Sequence, residues 1–242
     1  MKKIFALSLF DLKYAYRDFM LMVSILAPLL LALVFRFGVP FIFSYLEGRF
    51  SITLKNYFEL QAIILMITVP VLLGMFAAFI ILDERDENVL TFLAVTPLSK
   101  KEYLAYRLGT PVFISTLLTF AALFIAGYAD ILSWQTIPVI FLLSLEAPLV
   151  ALFVAGAAKN KVEGLAVAKV ASILLLVPLI FEFIEGPLKY IAGILPPFWL
   201  VSAFFSALHS EVEKWLIFIG ISIATHLFCI SILFNRFKNA VL

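Results

Sequence analysis

The sequence predicts an all-α integral membrane protein, a single transmembrane domain over residues 1–242 with six membrane-crossing helices, on three observations. First, 64% of the residues are hydrophobic and 14% are charged, against about a quarter charged in soluble domains. A water-soluble fold of this size has too little interior to hide that much apolar surface, so lipid must solvate the outside of a helix bundle. Second, the apolar residues fall in runs of spanning length. Third, lysine and arginine concentrate in alternate connections. A net charge of +2 leaves no electrostatic footprint for a nucleic-acid partner. One cysteine, Cys229, excludes an intramolecular disulfide.

At the N-terminus, Lys2 and Lys3 precede a short apolar run, but Asp11, Lys13, Arg17 and Asp18 interrupt it and no small-x-small cleavage site follows, which argues against a signal peptide. Phe5, Leu9, Leu12 and Tyr16 share a face at helical spacing with Lys13 and Arg17 away from it. That pattern predicts an interfacial helix lying on the membrane. Leu7 and Phe10 fall on the polar side, and the alternative is a cytoplasmic extension of the first span.

Spans of about 20 apolar residues are needed, and six are predicted: Phe19 to Leu46, Tyr57 to Leu82, Leu104 to Tyr128, Trp134 to Ala158, Gly164 to Ile184 and Trp215 to Phe234. The first contains Pro28, Arg36 and Pro40, which predicts a kink or an early end. The apolar stretch from Leu195 to Leu208 is too short to cross, and with Pro196, Pro197 and Trp199 it reads as a helix dipping into the outer interface.

Thirteen of the 18 Lys and Arg residues lie on one side under this assignment: Lys2, Lys3, Lys13, Arg17, Arg85, Lys100, Lys101, Arg107, Lys159, Lys161, Lys169, Arg236 and Lys238. Arg49, Lys55, Lys189 and Lys214 lie on the other. The asymmetry predicts an even number of crossings with both termini cytoplasmic.

The longest cytoplasmic link joins spans two and three. Asp83, Glu84, Asp86 and Glu87 surround Arg85 and favour the start of a helix through its dipole, so a short helix is predicted from about Asp86 to Val95. Its Val89, Leu90, Phe92 and Leu93 are costly to leave in water, and headgroups or a protein partner would cover them. Pro97 then breaks it, and Ser99-Lys100-Lys101-Glu102 forms a capping box that starts the next helix.

Glu84, Glu87, Thr96-Pro97-Leu98-Ser99 and Arg107 resemble the link between the second and third helices of ABC-2-type exporter permeases. Asn88-Val89 stands where that family commonly has Gly-Thr, and Arg107 where it commonly has Lys. The order of elements is similar too: an N-terminal interfacial helix, six spans, and outer re-entrant helices between spans five and six around Leu195-Pro-Pro-Phe-Trp-Leu200. Asn160-Lys-Val-Glu-Gly-Leu165 is similar to drug- and lantibiotic-type permeases. The resemblance implies a permease subunit of an ATP-binding cassette exporter in the plasma (inner) membrane. Its link would be a coupling helix whose Glu84, Asp86, Glu87, Val89, Leu90 and Leu93 touch a separate ATPase subunit. It implies a second permease, identical or paralogous, and ATP and Mg held by the ATPase rather than by this chain. The chain itself has no G-x-x-x-x-G-K-[ST] phosphate loop, so it is not expected to be an enzyme.

Glu146 lies mid-way along span four, where a carboxylate is costly and by default functional. It is read as lining the transport path or pairing with Arg36, about 5 Å along the helix axis from the middle of span one. The structural alternative is a protonated Glu146 hydrogen-bonded to a neighbouring helix. Pro148 is expected to kink span four. His226 and Cys229 share a helix face, but two ligands are too few for a structural zinc site, so packing is the expectation and no metal is assigned. The other function classes are a secondary transporter using Glu146 for proton coupling, an intramembrane enzyme and a non-transporting anchor. No inverted repeat favours the first of these, and no His, Asp or Ser constellation favours the second.

Overall fold

The structure, a computed structural model, describes residues 19–42, 44, 57–87 and 100–241. The interfacial helix predicted before Phe19 and the link residues Val89, Leu90 and Leu93, with Thr96-Pro97-Leu98-Ser99, lie outside the described residues. Those described are helical with no strand among them. Among the described residues, five helices are long and apolar enough to cross a membrane: Phe58–Asp86, Glu102–Ala126, Thr136–Ala157, Lys161–Phe183 and Val212–Lys238. Leu26–Ile42 and Pro197–Leu208 are shorter apolar helices.

The first helix, α1 (Phe19–Leu33), runs into a π-helical turn, Val34–Gly38. There the Val39 N–H bonds back to the Val34 carbonyl. Pro40 explains the turn: it has no N–H to return to the Arg36 carbonyl, and the wider turn absorbs the missing bond. The sequence predicts a kink or an early end; the structure shows a π-helical turn with helix continuing to Ile42.

Helix α2 (Phe58–Asp86) is apolar all round, which marks a helix destined for the middle of a bundle. It packs against α1, against α3 (Lys100–Ala126), and against two later helices, α5 (Glu146–Ala157) and α6 (Lys161–Ala171). At Gly74 an added Cβ would sit 2.5 Å from the Ala147 carbonyl oxygen of α5. Only glycine allows the two backbones to meet there.

Span four is two helices, α4 (Thr136–Leu143) and α5, separated at Ser144-Leu145. The chain tightens at the joint: Leu145 N–H bonds to Leu142 O at 3.0 Å and Ala147 N–H to Ser144 O at 3.2 Å. Pro148 cannot donate to Ser144 O, so a continuous α-helix would lose a bond here. Span five breaks similarly into α6, a 3₁₀ segment Ser172–Leu176, and α7 (Val177–Phe183). Pro178 is the cause, since its ring would meet the carbonyl of Leu174 in a regular helix.

After a 3₁₀ segment, Gly186–Ile194, comes α8 (Pro197–Leu208). It is covered by protein, with Phe198, Leu200, Val201, Ala203 and Phe204 fully buried, packed on α4, α7 and α9 (Val212–Val241). It is the short apolar helix expected from Leu195 to Leu208, and its apolar side is covered by neighbouring helices. α9 buries one stripe, Trp215, Ser222, His226 and Phe237, and exposes Leu216, Ile217, Leu227, Phe228 and Ile232, the pattern of a peripheral helix facing lipid.

The contacts fix direction. Arg36, in the π-helical turn that follows α1, reaches the Ile125 carbonyl near the end of α3, and Trp215, early in α9, donates to the Gln135 carbonyl. The backbone of Phe237, late in α9, lies beside Gly156 near the end of α5. The start of α1 and the end of α9 thus lie at one end of the bundle, together with the charged residues of the link.

Candidate functional site

Glu146 opens α5 at the joint left by Pro148, and His226 lies on the buried stripe of α9. Their side chains, 0% and 1% exposed, meet with His226 Nε2 2.9 Å from Glu146 Oε1. The other ring nitrogen, Nδ1, lies 2.8 Å from the Ser222 carbonyl oxygen, which can only accept, so Nδ1 carries hydrogen and donates to it. Ser222 Oγ stands 3.2 Å from the same nitrogen. The Nε2···Oε1 contact then holds a single proton, either on the carboxyl facing a neutral ring or on an imidazolium facing a carboxylate. Both forms are neutral as a pair, which is what makes two ionisable groups tolerable at this depth.

Arg36 does not take part, contrary to the pairing considered from the sequence. Its Nη1 donates to Ile125 O at 3.1 Å and its guanidinium lies 5.7 Å from the Phe37 ring. The reason is packing: α1 lies on α2 and α3, away from α5. Gly127, at φ 82, keeps the space open, since a Cβ there would sit 3.0 Å from Arg36 Nη1. The partner of Glu146 is the histidine that the sequence assigned to packing.

Beside the pair is a pocket of about 220 Å³ lined by Glu146, Leu149, Phe153, Leu174, Pro196 and Cys229 among others. It is almost wholly apolar. Glu146 Oε1 is taken by His226, while Oε2 is buried with no hydrogen-bond partner among the described residues. Whether the carboxyl is protonated on Oε1 or ionised, Oε2 is an acceptor. Among the described residues, no three His, Cys, Asp or Glu side chains group as metal ligands do.

A second constellation forms where the link leaves α2 and returns as α3. Arg107 forks onto Glu84, with Nη2 on Oε1 and Nε donating to Oε2 at 3.1 Å, and Tyr103 donates to Oε2 as well. The Arg107 side chain is 6% exposed and Glu84 17%, and the guanidinium carbon lies 5.7 Å from the centre of the Tyr103 ring and 5.4 Å from that of Tyr106. Bidentate geometry and near-burial make this a strong ion pair. One residue earlier, Asp83 binds Lys161 Nζ at 2.8 Å. Arg85 donates to the Ala158 carbonyl, and Asp86 accepts from the Lys161 backbone N–H at 3.4 Å. Asn160 caps α6 by accepting from Glu163 N–H, while Glu163 accepts from Lys159 N–H at 2.8 Å. The end of α2 is thereby tied to α3, α5 and α6.

The site residues named from the sequence therefore separate. Glu84 braces α2 against α3, Asp86 closes α2, and Glu87 caps it. The α2 helix continues through Asp86, its acidic side chains held by Arg107 and Lys161, and the short helix predicted from about Asp86 to Val95 lies, beyond Glu87, outside the described residues. Glu146 belongs to the intramembrane pair. Sequence reading missed His226 as a partner, although an ionisable residue in the middle of an apolar span was the same signal that marked Glu146.

The family described as Fluoroquinolones export permease protein Rv2686c-like matches residues 11–234. The Fluoroquinolones export permease protein Rv2686c of Mycobacterium tuberculosis (strain ATCC 25618 / H37Rv) is 28% identical over 231 residues, 94% of this chain and 91% of its own. The Fluoroquinolones export permease protein MT2760 of Mycobacterium tuberculosis (strain CDC 1551 / Oshkosh) matches with the same identity and coverage. No solved structure matches this chain.

Proposed function

This chain belongs to the Rv2686c-like family of export permeases and is a multi-pass membrane protein, and we propose that it is the permease subunit of an ATP-binding cassette exporter. A separate ATPase subunit would bind ATP and Mg and supply the energy. The observation that carries this reading is the electrostatic clamp at the base of α2. Glu84–Arg107, Asp83–Lys161 and Arg85–Ala158 fasten the point where the link departs to α3, α5 and α6. A force applied to the link by a partner would move four helices together.

In this reading α1 is the first of six spans, both termini are cytoplasmic, and the membrane is the plasma (inner) membrane. Asp86, Glu87, Val89, Leu90 and Leu93 meet the ATPase, while Glu84 transmits its motion. A second permease, a copy or a paralogue, completes the transporter. The names of the relatives make fluoroquinolones the first cargo to try.

The Glu146–His226 pair favours one competing reading, a secondary transporter coupled to protons through that shared proton. Inside-out vesicles carrying the chain with its companion ATPase decide between them. ATP-dependent uptake of a fluoroquinolone, absent without the ATPase, supports the exporter. Uptake without any ATPase, driven by an imposed pH gradient, overturns it in favour of the second reading.

A further inference from the structure

We infer that the outer end of the bundle holds the head group of a phosphatidylethanolamine, with its phosphate on Lys189 and its ammonium on Glu182. The two side chains line one cavity of about 380 Å³, within the ~300–1,000 Å³ of small-molecule sites. Phe181, Tyr190, Phe205 and Phe218 are its aromatic walls. The other ionisable groups there have partners. Lys214 pairs with Glu211 at 2.7 Å, and His209 Nδ1 donates to the Phe205 carbonyl at 2.8 Å. Lys189 holds its ammonium 4.5 Å from the centre of the Phe181 ring and 5.8 Å from that of Tyr190. Among the described residues it meets no carboxylate, and Glu182 meets no cation. Both can be reached, since Glu182 is exposed and Lys189 partly so. Two unmatched charges of opposite sign that line one cavity without meeting each other form a receptor for a zwitterion. A carboxylate gains charge-assisted hydrogen bonds from an ammonium that carries N–H groups and none from a quaternary one, which favours ethanolamine over choline.

The segment beside the cavity makes the occupant a lipid rather than a soluble zwitterion. Gly186–Ile194 is a 3₁₀ segment, in which residues three apart lie one above the other. Leu188, Ile191 and Ile194 therefore form one stripe, 65, 73 and 85% exposed. Lys189 and Ala192, one position on, form the next stripe, and Ala192 is buried. An apolar stripe alongside a charged pocket matches the boundary between acyl chains and head groups. Lys214 also lies at the end of the bundle that holds the Trp134–Trp215 contact, and such aromatic residues mark the membrane interface. The choice of leaflet rests on the topology proposed above; the site itself does not depend on coupling to an ATPase.

The test titrates the full chain, in dodecylmaltoside and without ATPase, with palmitoyl-oleoyl phosphatidylethanolamine, phosphatidylcholine or phosphatidylglycerol. The readout is the lipid concentration that gives half of the maximal rise in unfolding temperature. Phosphatidylethanolamine should need about fivefold less than either of the others, the size of one added charge pair. Glu182→Gln should abolish that advantage. Lys189→Met, which keeps an apolar stem on the Phe181 ring, should weaken all three lipids alike, because all three carry the phosphate. Both variants should melt with the native chain when no lipid is added, which separates lost binding from lost folding. Equal effects of the three lipids on the native chain would overturn the proposal, as would an ethanolamine preference that survives Glu182→Gln. Stabilisation by soluble glycerophosphoethanolamine as strong as by the lipid would make this a site for free zwitterions and overturn the lipid assignment. A change of oligomeric state in Lys189→Met with lipid response intact, seen by light scattering, would give this face to a second copy and overturn it too. Because no ATPase is present, a failure here leaves ATP-dependent uptake untouched, and a failure of uptake leaves this binding result standing.

Discussion

At the scale of single residues, the question is what it costs to keep Glu146 and His226 in the middle of an apolar bundle. Each alone would be an ionisable group with nothing to meet its proton or its charge, whereas together they form a neutral pair around one shared proton. Removing one member should therefore hurt more than removing both. His226→Leu leaves Glu146 buried and unpaired and should destabilise the chain by about 3 kcal/mol, seen as a lower unfolding temperature in detergent. Glu146→Leu/His226→Leu should recover most of that loss. A double variant as unstable as the sum of its single variants would show that the two groups do not act as a pair. Glu146 was legible in the sequence because a carboxylate in an apolar run stands out by itself. Its partner was not, because His226 lies 80 residues away, and the helix that brings it close is chosen by packing rather than by any local pattern.

At the scale of elements, five of the predicted apolar runs fall on helices long and apolar enough to cross a membrane, and three prolines accompany irregular turns, while Pro28, Pro70 and Pro111 sit inside unbroken helices. Pro40, Pro148 and Pro178 lie just after a π turn, a joint and a 3₁₀ segment respectively. The ends were less legible, since they depend on tertiary partners: α2 continues to Asp86 and α6 starts at Lys161 because each supplies the other's charges. Two element-level predictions follow from these contacts. Gly74→Ala would drive a methyl into the Ala147 carbonyl, 2.5 Å away, and should lower stability by about 1–3 kcal/mol as overpacking does. Gly220→Ala, with open space around it, should cause no such loss in the same thermal melt, and equal losses at the two positions would exclude steric contact as the cause. Asn160→Ala removes the cap of α6 and should cost about 1 kcal/mol, whereas Asn160→Asp, which keeps the accepting oxygen, should cost little.

At the scale of the whole molecule, the charge asymmetry along the sequence and the three-dimensional contacts agree on one arrangement. The start of α1, the end of α9 and the acidic base of α2 share one end, and the Trp134–Trp215 contact, 5.4 Å between ring centres, lies at the other, where aromatic belts sit. What the sequence could not disclose is that the acidic stretch is divided in its duties. Asp83 and Glu84 face inward to brace the helices, and Glu87 stands exposed at the end of α2. That division makes the proposed transmission testable apart from ATPase binding. Arg107→Gln loosens the hold on Glu84 without touching the link, so the partner ATPase should still attach and hydrolyse ATP while transport falls about tenfold, a usual size for a coupling free energy. Exchanging the charges, Glu84→Arg with Arg107→Glu, should restore part of the transport, which a merely local loss of folding would not allow. If Arg107→Gln instead abolishes ATPase attachment at unchanged thermal stability, the clamp belongs to the docking surface itself, and the division between bracing and contact residues is wrong.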